Sequence, residues 1–313
     1  MDKETRARLE ERVGRVHLRQ RLGIETDNEK RIFGQGRNFF HIENWYSVHS
    51  LMRGILRLFF LYGRGRRNTL DIRIRKNDFR IRNLPAAFDG YTILHISDLH
   101  LDMHPGFPHA LIEAVHQVDY DLCVLTGDFR ALTYGPYEAA IDGMRQVRIH
   151  LKGPVYGVLG NHDTICMVLD LEEMGVRMLL NEYVALDRGG ERIYLAGIDD
   201  PHYYRADNLE KTADPIHPDA VSILLAHSPE IYKHAAHAGF NLMLSGHTHG
   251  GQICLPGGWP LTCNARCPRD FCSGAWSYQD LNGYTTAGSG SSIVDVRLNC
   301  PPEITLHYLR CAE

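Results

Sequence analysis

Six short apolar runs lie along residues 92–244, and each stops within a few positions of an Asp, Asn or His. The runs are 92–97 (TILHIS), 122–126 (LCVLT), 155–159 (VYGVL), 193–196 (IYLA), 221–226 (VSILLA) and 241–244 (NLML). They are too short for helices and too continuously apolar for strands with one wet face, so they read as strands buried on both sides. Between them, residues 107–117, 137–151, 164–174 and 229–238 carry apolar positions at helical spacing. Such alternation predicts an α/β architecture with layered sheet. A hairpin-like pair at 70–75 and 79–82 is expected before the first run, and a last strand at 303–308.

In sheets of this kind, ligands collect at the carboxyl ends of the strands. The unusual residues of this chain fall there. Asp98 and His100 follow the first run, Gly127-Asp128 the second, and Gly160-Asn161-His162-Asp163 the third. His227 follows the fifth run, and Gly246-His247-Thr248-His249-Gly250-Gly251 follows the sixth. Paired imidazoles one residue apart between glycines suit a loop that turns sharply around a ligand. Mixed imidazole and carboxylate donors suit Mn, Fe, Zn or Co rather than Ca or Mg alone. Seven candidate ligands exceed what one tetrahedral ion takes and match two ions sharing a carboxylate. Two ions ~3.5–4 Å apart activate a water and clamp a phosphoryl group. His162 is then left over to act on the leaving oxygen.

The net charge of −4 is unevenly spread: residues 1–84 hold 20 Lys+Arg against 10 Asp+Glu, and the remainder holds 14 against 28. We therefore expect a basic amphipathic arm over 1–68 and a catalytic domain over 69–313. Within the arm, the stretch at 45–68 mixes Leu51, Met52, Ile55, Leu56, Leu58, Phe59 and Phe60 with Arg53 and Arg57, which share a helical face, and then Arg64, Arg66 and Arg67. Such a helix either lies on an anionic membrane surface or packs on the enzyme body with its arginines solvated. No aromatic platform or nucleic-acid motif accompanies the charge, so nucleic acid is not an expected partner. The first residues lack the apolar core of a signal peptide, and no apolar run reaches the ~18–20 residues of a bilayer span. A cytoplasmic protein is expected, with peripheral attachment to the inner face of the membrane as its variant.

The order D-x-H, G-D, G-N-H-D, H, G-H-x-H resembles that of the calcineurin-like metallophosphoesterases. GIDDP (197–201), GHTHGGQICLPG (246–257) and PPEITLHYL (301–309) are similar to the YkuE-like and UDP-2,3-diacylglucosamine pyrophosphatase-like branches. The resemblance spans roughly residues 90–310. It implies a four-layer β-sandwich flanked by helices, here carrying a basic N-terminal helical extension. It further implies a first ion held by Asp98, His100 and His249, a second by Asn161, His227 and His247, and Asp128 bridging both. His162 would stabilise the transition state or protonate the leaving group. The expected cofactors are two divalent transition-metal ions, manganese first, with Fe, Zn or Co as alternatives. The expected reaction is hydrolysis of a phosphoester or pyrophosphate, on a lipid-linked substrate such as UDP-2,3-diacylglucosamine if the arm meets membrane. A soluble phosphomonoester or phosphodiester is the alternative substrate, and a non-catalytic scaffold is disfavoured because no ligand position is missing.

Three features stay open at this level. Asp199-Asp200 is either a turn or a group near the substrate. Asp163 either orients a histidine or caps the following helix. Cys254, Cys263, Cys267 and Cys272 crowd one segment without a CxxC pair, so solitary thiols are expected ahead of a zinc knuckle or a disulfide.

Overall fold

The computed structural model describes residues 1–35 and 46–312. Two six-stranded sheets face each other. The first runs, in spatial order, Arg73–Ile81, Glu303–Cys311, Thr92–Ile96, Leu122–Leu125, Val155–Gly157 and Arg177–Met178. The second runs Gly274–Tyr278, Leu281–Thr285, Leu242–Ser245, Ser222–Leu225, Glu191–Gly197 and Glu182–Arg188. Side chains alternate faces along a strand, and here each face meets a different apolar layer. Ile93, Leu122 and Val124 point into the inter-sheet core with Ile193, Leu195, Ile223 and Leu244. Leu94, Ile96, Cys123 and Leu125 point the other way, under helices Phe107–Val115, Glu138–Arg148 and Met167–Glu173. Leu224 and Met243 back onto Ile231, Tyr232 and Ala235. The result is helix, sheet, sheet, helix, as the doubly apolar runs require.

The expected hairpin at 70–82 is not formed. Arg73–Ile81 is one unbroken strand, parallel to Glu303–Cys311. Asn77-Asp78 lies inside that strand, and Asp78 pairs with Arg310 at 3.1 Å. An edge strand tolerates such charge because one of its flanks is open to water.

The N-terminal segment is helical. α1 (Lys3–Val13) and α2 (Arg15–Gln35) lay Leu9, Val13 and Leu18 into the same core layer as Leu94 and Leu125. α3 (Tyr46–Leu58) and α4 (Tyr62–Asn68) form an elbow on the other side of residues 36–45, and those ten positions of the expected arm lie outside the described residues. Leu56, backed by Met52, packs on Val294, Val296 and Leu298. The opposite face is bare: Leu51, Ile55, Leu58, Phe59 and Phe60 are exposed, Phe60 to 91%. The helix thus packs on the enzyme body through Leu56 and Met52 while Leu51, Ile55 and Leu58 face outward. Among the described residues, no helix is long and apolar enough to cross a membrane.

Candidate metal centre

All seven candidate ligands, and His162, meet at the carboxyl ends of strands from both sheets, and all are buried. Five of them, Asp98, His100, Asp128, His247 and His249, hold positive φ between 41° and 71°. Non-glycine residues rarely adopt that region, and clusters of them mark sites where surrounding structure overrides local preference. Here the override is a web of backbone bonds between neighbouring strand ends. Asp98 N–H donates to Gly127 O, His100 N–H to Asp128 O, and Gly246 N–H to His227 O, at 2.9–3.0 Å. The freedom expected of Gly246 is a matter of room rather than φ. A Cβ on it would strike Ser97 Oγ and Asp98 Oδ2 and lie 2.8 Å from Ser97 Cβ. Gly160 is similar, since a Cβ there would lie 2.6 Å from Asp128 N.

The side chains sort into two groups. In one, His249 Nε2 lies 3.1 Å from His100 Nε2 and 3.4 Å from Asp98 Oδ1. In the other, Asn161 Oδ1 lies 2.9 Å from His227 Nε2 and 2.7 Å from His247 Nδ1, and those two nitrogens are 3.3 Å apart. Asp128 Oδ2 faces both groups, 3.8 Å from His100 Nε2 and 3.3 Å from His227 Nε2.

The outward nitrogens explain why the inward ones need a cation. His100 Nδ1 donates to Arg130 O, His227 Nδ1 to Thr126 O and His247 Nε2 to Asn264 O, at 2.6–2.7 Å. A neutral imidazole with one N–H committed outward presents a lone pair at its other nitrogen. In the second group, two such nitrogens converge with an amide oxygen and a carboxylate, an arrangement that calls for a positive charge at its centre. A divalent cation resolves it, and carbonyl partners of this kind are the usual orienting shell of metal-bound histidine. The electrostatics agree. Burial pushes the Asp98 carboxyl up to about 6 and His100 down to about 4. Burial also opposes charge on His227, yet Asp128 overrides it and lifts that ring to about 10, a proton standing where a cation would. Against the same burial penalty, His227 and His162 hold Asp128 well below the usual carboxylate range.

His162 lies at the edge of the first group. Its Nε2 is 4.0 Å from Asp128 Oδ2, its Nδ1 is 3.2 Å from Thr133 Oγ1, and its backbone N–H donates to Asp128 Oδ1. Asp163 neither orients a histidine nor caps the next helix. Its carboxylate accepts the N–H groups of Asp128, Gly160 and Phe129 at 2.8–2.9 Å, tying two ligand loops together. The Asp199-Asp200 pair divides: Asp200 accepts the amides of His202, Tyr203 and Tyr204 as a turn residue, while Asp199 is a buried partner of His17 and Arg21.

Several residues escaped the sequence reading. Arg130 donates through Nε to His162 O and through Nη1 to Gly135 O. Arg297, fully buried, places Nη2 3.1 Å from His249 Nδ1 and Nε 3.0 Å from Gly290 O. Arg130 follows the second run but is not an Asp, Asn or His, and Arg297 follows none of the six runs, so the signal that exposed the candidate ligands passed over both. The thiols also differ from expectation, because the loop folds back and brings Cys263 and Cys272 to a Cα separation of 6.1 Å, where they form a disulfide. Cys267 lies beside them, while Cys254 and Cys300 remain free.

The calcineurin-like phosphoesterase family matches residues 91–251, the span that carries every candidate ligand. YkoQ of Bacillus subtilis, named an uncharacterized metallophosphoesterase, is 28% identical over 80% of this chain and 94% of its own length. YkuE of the same organism, likewise named an uncharacterized metallophosphoesterase, is 30% identical over 72% of this chain and 82% of its own. YaeI of Escherichia coli, named a phosphodiesterase, is 25% identical over 69% and 81%. With the family match covering half of the sequence, and with buried His/Asp groups fit for divalent ions, the chain belongs to the calcineurin-like phosphoesterases, a family of metal-dependent phosphoester hydrolases.

Proposed function

We propose that this protein hydrolyses a phosphodiester or pyrophosphate bond with two divalent transition-metal ions, manganese first among them. The convergence of His227 Nε2, His247 Nδ1, Asn161 Oδ1 and Asp128 Oδ2 carries the reading, because four donor atoms suited to a divalent ion face one another while the outward ring N–H groups are already committed to backbone carbonyls. Asp98, His100 and His249 would hold the first ion and Asn161, His227 and His247 the second, with Asp128 between them. When bound, the pair supplies a water that is nucleophilic at neutral pH and neutralises charge on the phosphoryl oxygens. The chain's own contribution is orientation and proton management. Three backbone carbonyls fix the tautomers of His100, His227 and His247, and Asp163 keeps the Asp128 and Gly160 loops in step. His162, at the rim of the site, holds a proton at Nε2 and gives it to the departing oxygen. His162→Ala should lower turnover by ~10²–10⁴-fold with two ions still bound. Unchanged turnover would remove His162 from the reaction.

The bare face of α3 and the following elbow favours a substrate presented at an anionic membrane. Leu51, Ile55, Leu58, Phe59 and Phe60 are all exposed, accompanied by exposed Arg53, Arg57, Arg64 and Arg67. A fully inserted Leu or Phe contributes roughly 1.5–3 kcal/mol, and an arginine near anionic lipid about 1 kcal/mol. A lipid-linked phosphoester, of the class of UDP-2,3-diacylglucosamine, fits such a surface. Manganese-supplemented hydrolysis of that lipid, of a soluble phosphodiester and of a phosphomonoester should be compared with and without phosphatidylglycerol vesicles. Lipid preference that falls in Phe59→Ser/Phe60→Ser, with soluble-ester turnover intact, is the expected result. Brisk soluble turnover indifferent to vesicles and to both substitutions would leave a general phosphoesterase instead.

A further inference from the structure

Arg21 comes from α2, 70 residues before the family match begins, yet it is fully buried. Its guanidinium lies 3.3 Å above the Tyr204 ring, 3.2 Å from Asp199 and 3.0 Å from Glu25, and its Nη2 donates to Asp163 O at 2.9 Å. Desolvating an arginine and an aspartate is a poor way to dock a helix that Leu18 and Leu22 already dock by apolar burial. What the guanidinium holds is the loop that carries Asn161 and His162. Glu25, one turn along the same helix, accepts Ile165 N–H at 2.9 Å and Thr164 Oγ1–H at 2.6 Å. Arg130 grips the same loop at His162 O. Residues 162–165 are thus held from two sides, and the Asp163 carboxylate between them fixes the Asp128 and Gly160 amides.

We propose that Arg21 is a positioning residue for the second metal-ligand group, so that the functional unit begins in α2 rather than after residue 68. The clamp sets where Asn161 Oδ1 stands relative to His227 and His247, which neither its own loop nor the strand before it determines. The proposal rests on the reading that Asn161, His227 and His247 hold an ion.

Full-length Arg21→Met and Arg21→Lys should be titrated with manganese by calorimetry and by electron paramagnetic resonance, with thermal unfolding measured alongside. Lysine keeps a positive charge beside Asp199 but cannot reach Asp199, Glu25 and Asp163 O together, so it decides the matter if the methionine variant fails to fold. The expected outcome is a first ion bound as in the wild type, a second ion weakened ~10–100-fold, and loss of the spin-coupled two-manganese signal. Turnover should return at high manganese. Both ions bound with wild-type affinity in folded variants, whatever the melting temperature, would overturn the proposal. A wild-type chain that takes up one ion only would overturn the two-ion reading and this proposal with it.

Discussion

Replacing Asp163 by asparagine removes one charge and one acceptor from the centre of the ligand scaffold. Oδ2 accepts Asp128 N–H and Gly160 N–H, both at 2.8 Å, and Oδ1 accepts Phe129 N–H at 2.9 Å. The single oxygen of asparagine can keep the first two bonds, which turns its NH₂ group against Phe129 N–H. A lost charge-assisted bond is worth about 1.5–3 kcal/mol, and an unpaired buried N–H costs about 1–3 kcal/mol. Burial and the nearby Asp128 push Asp163 up to about 6, so removing its charge returns part of that loss. We expect a net destabilisation of about 2–3 kcal/mol, a fall in melting temperature of about 4–12 °C at the ~2–4 °C per kcal/mol typical of larger domains. Because Asp128 and the Asn161 loop shift together, turnover should also fall ~10–100-fold. Circular dichroism melts of metal-stripped protein and manganese-dependent turnover of the same preparations would measure both. A melting temperature within about 1 °C of wild type, with full turnover, would refute the idea that these three amide bonds hold the loops together.

Gly246→Ala should displace Asp98, since its methyl would meet Asp98 Oδ2 and Ser97 Oγ; the folded variant is expected to lose first-site manganese, and two ions at wild-type affinity would contradict this. Acid should destabilise the fold through His95 and His307, whose Nδ1 and Nε2 lie 3.3 Å apart between the sheets. Burial pushes His95 down to about 3 and His307 well below the usual histidine range, so both stay neutral when folded but take a proton near 6.5 when unfolded. That stability is present above about pH 6.5 and is lost as pH falls toward the folded values, by up to ~1.4 kcal/mol per pH unit for each ring. Urea midpoints of metal-stripped protein at pH 7.5 and 5.5 test this, and equal midpoints would refute it.

The candidate ligands were legible because two local patterns coincide in this chain. An apolar run buried on both faces announces a central strand, and Asp98, Asp128, Asn161, His227, His247 and His249 each follow such a run within a few residues. Strand ends are where backbone amides and side chains can converge without disturbing a sheet, so order along the chain mapped directly onto position in space. The charge asymmetry likewise marked the amphipathic helix of α3, whose periodicity is a property of a dozen residues.

Long-range partners left no comparable trace. Asp163 looks like a helix cap from its neighbours, yet the amides of Asp128 and Phe129 in a distant turn, with that of Gly160 in its own loop, decide what it does. Arg21 lies 142 residues from the carbonyl it holds, and Arg297 lies 48 from His249. The single strand at Arg73–Ile81 reads as a hairpin until Glu303–Cys311 lies beside it. By itself the sequence determined the six buried runs and the candidate donors at their ends, because alternation and turn chemistry act between near neighbours. Only the tertiary structure decided which buried charges steady those donors, because a salt bridge depends on where two distant segments meet and on the water they exclude.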